Sequence, residues 1–291
     1  MKGLIVALVT PMKESGEIDF EALKKLLDWH AAAKTDALVI LGSTGEAATV
    51  HLDERRELVS FAVSYVKKRY PVIIGTGSYA TDTTIEYTQQ AKNLGADAAL
   101  VVTPYYNKPT QEGLYQHYKA VAEAVDLPII LYNIPGRTAC DLKPETVAKL
   151  SLIKHIIGIK EGSGELSRVS VLRALCGNNF LLYSGDDMNA LPIILSGGDG
   201  VISVAGNIIP EKMRELCYAA LNGELEKARK LDQALCDFYS KLFIETNPIP
   251  VKWCMAKVNK MAAHVRLPLT PLTSTCYAPL EKALHELGLL S

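Results

Sequence analysis

The chain has 291 residues, of which 48% are hydrophobic and 22% charged, the profile of a folded protein with a large buried core. A formal net charge of −1 provides no field for nucleic acid or an anionic membrane, and charged residues cut every apolar run short of the roughly 18 needed to span a bilayer. Six cysteines (Cys140, Cys176, Cys217, Cys236, Cys254, Cys276) form no CxxC pair, which fits reduced thiols in a cytosol and argues against a disulfide framework or a zinc site.

Taken in chain order, the opening run Gly3-Leu4-Ile5-Val6-Ala7-Leu8-Val9-Thr10 is short and has no small-residue cleavage site after it. It reads as a first strand rather than a signal peptide. Further apolar runs cover 37–42, 71–76, 98–103, 128–134, 156–160, 180–184 and 200–205. Amphipathic stretches at 19–34, 53–68, 83–94, 113–124, 145–150, 166–175, 188–195 and 211–221 separate or follow them. Strands alternating with helices imply a parallel sheet with right-handed crossovers. Eight such units in residues 1–223 match a (β/α)8 barrel. Residues 224–291 show no strand pattern and read as a C-terminal helical extension packed on the barrel, with helices near 224–243, 249–260 and 276–288.

A doubly wound dinucleotide-binding sheet is the rival architecture, supported by Gly75-Thr76-Gly77-Ser78-Tyr79-Ala80. That run follows the third strand instead of the first, and the next acid, Asp97, precedes a strand instead of ending one. A tight strand-to-helix turn is the simpler reading.

Reactive groups in a (β/α)8 barrel sit where strands pass into the following loops. Here the second strand ends at Gly42-Ser43-Thr44-Gly45-Glu46, the fourth at Thr103-Pro104-Tyr105-Tyr106-Asn107, and the fifth at Tyr132-Asn133-Ile134-Pro135-Gly136-Arg137. Lys160 closes the sixth, and Ser184-Gly185-Asp186-Asp187 the seventh. Any one of these could be a turn or core residue, and a lone strand-end lysine could simply snorkel. Their gathering on one rim points to chemistry.

Strict alternation along 156–161 puts Gly158 and Lys160 on one face, with Ile157, Ile159 and Glu161 on the other. Gly158 is then expected to leave space beneath the lysine stem. Desolvation of such a lysine favours the neutral amine that attacks a carbonyl carbon. Imine formation needs protons moved, a task for a phenol such as Tyr132, with Ser43 and a second tyrosine relaying them to water. Thr44 and nearby amides can hold a substrate carboxylate, and Arg137 can bind another bidentately. The six histidines show no metal-ligand spacing.

These segments, with Gly158-Ile159-Lys160-Glu161 and Asn247-Pro248-Ile249-Pro250-Val251-Lys252, resemble the dihydrodipicolinate synthase family of pyruvate-dependent class I aldolases from residue 3 to the C-terminus. The resemblance implies a barrel, a lysine–pyruvate imine, no metal or organic cofactor, and aspartate semialdehyde as second substrate. It makes Lys160 the imine lysine and Tyr132 the proton donor and acceptor. Thr44 and the backbone of Ile202 would contact pyruvate, Ser43 and Tyr106 would form the relay, and Arg137 would bind the semialdehyde carboxylate. A cytoplasmic homotetramer built from two tight dimers is implied too, with Tyr106 reaching a neighbouring subunit's site.

One departure is Ser43, where synthases commonly carry threonine and the related N-acetylneuraminate lyases often carry serine. Arg137, which those lyases lack, favours the synthase; the alternative is a lyase or aldolase that releases pyruvate from a sugar acid. The resemblance also implies weak or absent inhibition by lysine. Around the retained Tyr105, the inhibitor-binding positions are occupied by Tyr79, Arg55 and Thr83.

Overall fold

Every apolar run becomes one strand of a closed parallel barrel in the computed structural model, which describes residues 1–290. In chain order the barrel comprises β1 (Gly3–Ala7), α1 (Phe20–Ala32), β2 (Ala37–Ile40), α2 (Leu52–Val66), β3 (Val72–Gly75), α3 (Thr81–Asn93), β4 (Ala98–Val102) and α4 (Gln111–Ala124). It continues with β5 (Ile129–Asn133), the short α5 (Pro135–Thr138), α6 (Pro144–Leu150), β6 (Ile156–Glu161), α7 (Ser167–Cys176), β7 (Leu181–Ser184), α8 (Ala190–Leu195), β8 (Gly200–Ser203) and α9 (Pro210–Leu221). Then come α10 (Leu225–Lys241), α11 (Ile249–Lys257) and α12 (Tyr277–Glu286). Each strand pairs with the next, and β1 closes on β8 with Ile5 opposite Ile202.

Local chemistry explains the elements. The β1 and β5 residues are buried throughout, as strands covered on both faces must be. Helix α1 begins at Asp19, whose carboxylate accepts from the Ala22 N–H at 2.9 Å, and buries Leu23, Leu26, Leu27 and His30 along one stripe. Ile5, Val39, Ile73, Leu100, Ile130, Tyr132, Tyr183 and Ile202 fill the barrel interior. A larger apolar layer packs between strands and helices. Each fully buried aliphatic side chain contributes about 1.5–3 kcal/mol.

Two expectations for β6 are corrected. Ile129 pairs with Ile156 but Ile130 with Gly158, so a bulge at Ile157 resets the alternation. Ile157 packs against the interior cluster while Ile159 joins the outer layer, so the two do not share a face. Gly158 does not open space beneath Lys160 either. A Cβ there would lie 2.5 Å from the Leu181 carbonyl oxygen and 2.6 Å from the Leu181 Cβ, so glycine lets β7 come close. The Gly75-Thr76-Gly77 run starts at the last residue of β3 and leads into the turn before α3, and a Gly75 Cβ would stand 2.0 Å from the Leu41 carbonyl oxygen. Close packing of neighbouring strand ends accounts for that glycine.

Among the described residues, no helix is long and apolar enough to cross a membrane. The six cysteines are all free.

Candidate active site

Lys160 stands at the upper end of the barrel interior, with only 5% of its surface exposed. Its register partners are Tyr132 on β5 and Tyr183 on β7. The Lys160 Nζ lies 4.4 Å from the centroid of the Tyr132 ring. No carboxylate of the described residues lies within 4.0 Å of that nitrogen, so the amine is buried without a counter-ion. An amine that attacks a carbonyl carbon does so in its neutral form. Tyr183 turns the other way: its hydroxyl donates to the Met1 carbonyl at 2.7 Å, towards the opposite end of the barrel.

The residues beside this pair in sequence secure it from the outer face. Asn133, next to Tyr132, donates from Nδ2 to both Glu161 oxygens (3.3 and 3.2 Å) and to Asp141 Oδ1 (3.0 Å). Its Oδ1 accepts from the Leu142 N–H at 2.9 Å. Glu161, next to Lys160, also accepts from the Ser163 N–H at 2.6 Å, and burial pushes its carboxyl above the ordinary range. Arg168 grips Asp141 through two bonds of 2.7 Å, holding that carboxyl below its usual range. The ends of β5 and β6 are thereby cross-tied behind the lysine and the phenol.

Thr44 is buried, and its Oγ1 accepts from Asn247 Nδ2 at 2.9 Å. The Asn247 carbonyl accepts from Arg137 Nη2 at 3.2 Å. Asn247 thus bridges two of the expected binding residues from far along the chain, and its own buried Oδ1 has no partner among the described residues. The Arg137 side chain is otherwise exposed, with no carboxylate of the described residues within 4.0 Å. Ile202 is fully buried in β8. The backbone beyond it is held by Asp187, which accepts from Ser203 Oγ and from the N–H groups of Val204 (3.0 Å) and Ala205 (2.8 Å).

The expected relay is not assembled within this chain. Ser43 is exposed on the rim, and no hydrogen bond among the described residues joins it to Tyr132 or Tyr106. Tyr106 is 94% exposed and takes a left-handed backbone (φ 76). Leu41, Glu46, Lys108 and Ala139 also have positive φ, all in loops after β2, β4 and β5.

Asn133, Glu161, Asp187, Asn247 and Lys252 take part in the framework without having been assigned roles from the sequence. Asn133 and Glu161 directly follow Tyr132 and Lys160, and Asp187 lies in the run that ends the seventh strand, so position on the rim was the available signal. Lys252, on α11, makes a 2.5 Å ion pair with Glu46 of the β2 loop. Burial draws its ammonium below the ordinary lysine range, and Glu46 counters the fall.

The residues compared with an inhibitor site gather around Tyr105, in the loop after β4 that also carries Tyr106. Tyr79 and Tyr105 meet edge to face, with ring centroids 5.7 Å apart. Arg55 is buried with its guanidinium 4.3 Å from the Tyr87 ring centroid, and burial lowers its pKa to about 10. Among the described residues no group of three His, Cys, Asp or Glu side chains is placed to hold a metal ion.

Comparison with known proteins places this geometry in context. The sequence model of the Dihydrodipicolinate synthetase family matches residues 1–287. A 4-hydroxy-tetrahydrodipicolinate synthase of Pseudomonas savastanoi pv. phaseolicola is 51% identical over 288 residues, which span 99% of this chain and 99% of that protein. The fold superimposes on the chloride-inhibited dihydrodipicolinate synthase from Acinetobacter baumannii, solved with pyruvate, with a TM-score of 0.98, 46% identity and 99% of both chains covered. It also matches a monomeric dihydrodipicolinate synthase variant at a TM-score of 0.97 and 42% identity, over 100% of this chain and 98% of that one.

Proposed function

The chain belongs to the dihydrodipicolinate synthetase family, and on that premise we propose that Lys160 is the Schiff-base lysine through which it acts. The enzyme is a lyase of the lysine and diaminopimelate route, condensing pyruvate with L-aspartate 4-semialdehyde to give 4-hydroxy-tetrahydrodipicolinate. The observation that supports the assignment of Lys160 is its burial without a counter-ion, 4.4 Å from the Tyr132 ring.

The chemistry follows from those groups. The neutral Lys160 amine attacks the pyruvate ketone, and the carbinolamine loses water to leave an imine. Tyr132 supplies the proton that lets the oxygen depart, a contribution of about 10²–10⁴-fold for a well-placed acid and base. Loss of a methyl proton from the imine yields an enamine, whose carbon attacks the aldehyde as the aldehyde oxygen takes up a proton. The amino group from the semialdehyde then displaces Lys160, closing the ring and freeing the enzyme. Thr44 and the Ile202 backbone hold the pyruvate carboxylate, and Arg137 holds that of the semialdehyde. Ser43 passes protons outward with a Tyr106. No metal or organic cofactor enters this scheme.

Tyr106, almost wholly exposed in one chain, completes the relay in a neighbour's site within a cytoplasmic homotetramer of two tight dimers. Sedimentation tests this assembly: a fully active monomer would return Tyr106 to its own chain. Serine at position 43 keeps the hydroxyl, and the named relatives support the synthase rather than the sialic acid lyase alternative. The deciding assay offers aspartate semialdehyde or N-acetylneuraminate to the same preparation. Condensation with the first and no cleavage of the second is expected; the opposite pattern would overturn the reading.

A further inference from the structure

Among the described ion pairs, Glu46–Lys252 alone has both side chains essentially out of water, at 1% and 0% exposure. Such a pair is poor evidence of stability, because removing both charges from solvent offsets their attraction. Glu46 also occupies the left-handed backbone region (φ 54), which disfavours any residue with a Cβ. Two unfavourable features coincide at one residue on the rim, where strain is most often functional.

Their placement says what they could do. Glu46 follows Thr44 by two positions, in the loop after β2. Lys252 lies in the first turn of α11, just after Asn247, and its N–H donates to the Pro248 carbonyl at 3.0 Å. The other Glu46 oxygen accepts from the Arg266 N–H at 3.1 Å. We propose that the Glu46–Lys252 pair is a positioning strut that fixes Asn247, and through its carbonyl Arg137, so that it sets the affinity for the second substrate. This rests on the role given to Arg137 above.

Unequal anchoring of the two joined segments gives the strut its direction. The Thr44 loop has its own ties: the Gly45 N–H closes a turn on the Gly42 carbonyl (3.1 Å), and Thr10 Oγ1, from the segment after β1, donates to the Gly45 carbonyl (2.7 Å). Among the described residues, the hydrogen bonds of Asn247 are its side-chain bond to Thr44 and the Arg137 bond to its carbonyl. Loss of the strut therefore frees Asn247 and Arg137 while the pyruvate side stays in place. Lys160 and Tyr132 are held separately by the Asn133–Glu161 tie.

The test replaces both charges together, Glu46→Leu with Lys252→Met, which leaves no single charge stranded in the core. The double variant should unfold near the parent's temperature and trap pyruvate with borohydride at the parent's rate. Its KM for aspartate semialdehyde should rise roughly tenfold, about 1.4 kcal/mol, with kcat changing less. The charge-retaining Lys252→Arg should recover part of that loss. Should the double variant not fold, Glu46→Gln is measured in the same way; should neither fold, the pair is a stability element and the proposal falls. An unchanged KM for the semialdehyde in a folded variant also overturns it, as does an equal loss of trapping. A parent enzyme that fails to use the semialdehyde would instead refute the function assigned above.

Discussion

Substituting Arg137 by alanine removes a guanidinium whose one hydrogen bond among the described residues is the 3.2 Å donation from Nη2 to the Asn247 carbonyl. The rest of the fork has no carboxylate within reach among the described residues, so it is available to a substrate. A hydrogen bond to a charged group contributes about 1.5–3 kcal/mol. Because Arg137 is exposed, solvent screens the contact and the lower half of that range applies. The KM for aspartate semialdehyde should then rise roughly ten- to fortyfold. Stability should change by less than about 1 kcal/mol, as for other exposed positions. Arg137→Lys should fall between parent and alanine variant, since it restores the charge without the planar fork. Initial rates at saturating pyruvate and varied semialdehyde measure the effect, with borohydride trapping of pyruvate run in parallel. An unaltered KM with trapping intact would assign the carboxylate to another group. Loss of trapping would show that Arg137 organises the whole pocket.

Tyr132→Phe should slow turnover by about 10²–10⁴-fold while pyruvate still binds, because only the proton-transferring hydroxyl is lost; weakened binding with undiminished kcat would make Tyr132 structural. Gly158→Ala forces a Cβ to 2.5 Å from the Leu181 carbonyl oxygen and should lower stability by about 3 kcal/mol, read as a reduced denaturant midpoint. An unchanged midpoint would mean that β6 and β7 separate easily. Free lysine should inhibit only above roughly millimolar concentration, equivalent to about 4 kcal/mol of binding, because Arg55 and Thr83 supply no counter-ion for its ammonium. Half-maximal inhibition well below that would place another acid in the cleft.

The barrel was legible because each of its strands is a contiguous apolar run and each long helix a stripe of period 3.6. The expected strand 156–160 became Ile156–Glu161, and 200–205 became Gly200–Ser203, differences confined to the ends. Lys160 and Tyr132 could be paired because a parallel sheet aligns strand ends, and they are register partners. The bulge at Ile157 was not legible, since an unpaired residue leaves no mark in an unbroken Ile-rich run. Nor was the role of Asn247, which reaches Thr44 across 203 positions and Arg137 across 110. Contacts of that span are set by how α11 packs over the rim, and no local pattern encodes them. The four-residue α5 was also missed, because Pro135-Gly136-Arg137-Thr138 has the composition of a turn.

Trapping the covalent intermediate tests the central claim most directly. The protein is treated with pyruvate and borohydride, digested, and its peptides are mapped by mass. The account predicts one modified peptide, carrying a lactyl-sized addition on Lys160, and no labelling in Lys160→Ala, which should also be inactive. Label on a different lysine, or full activity of Lys160→Ala, would contradict it.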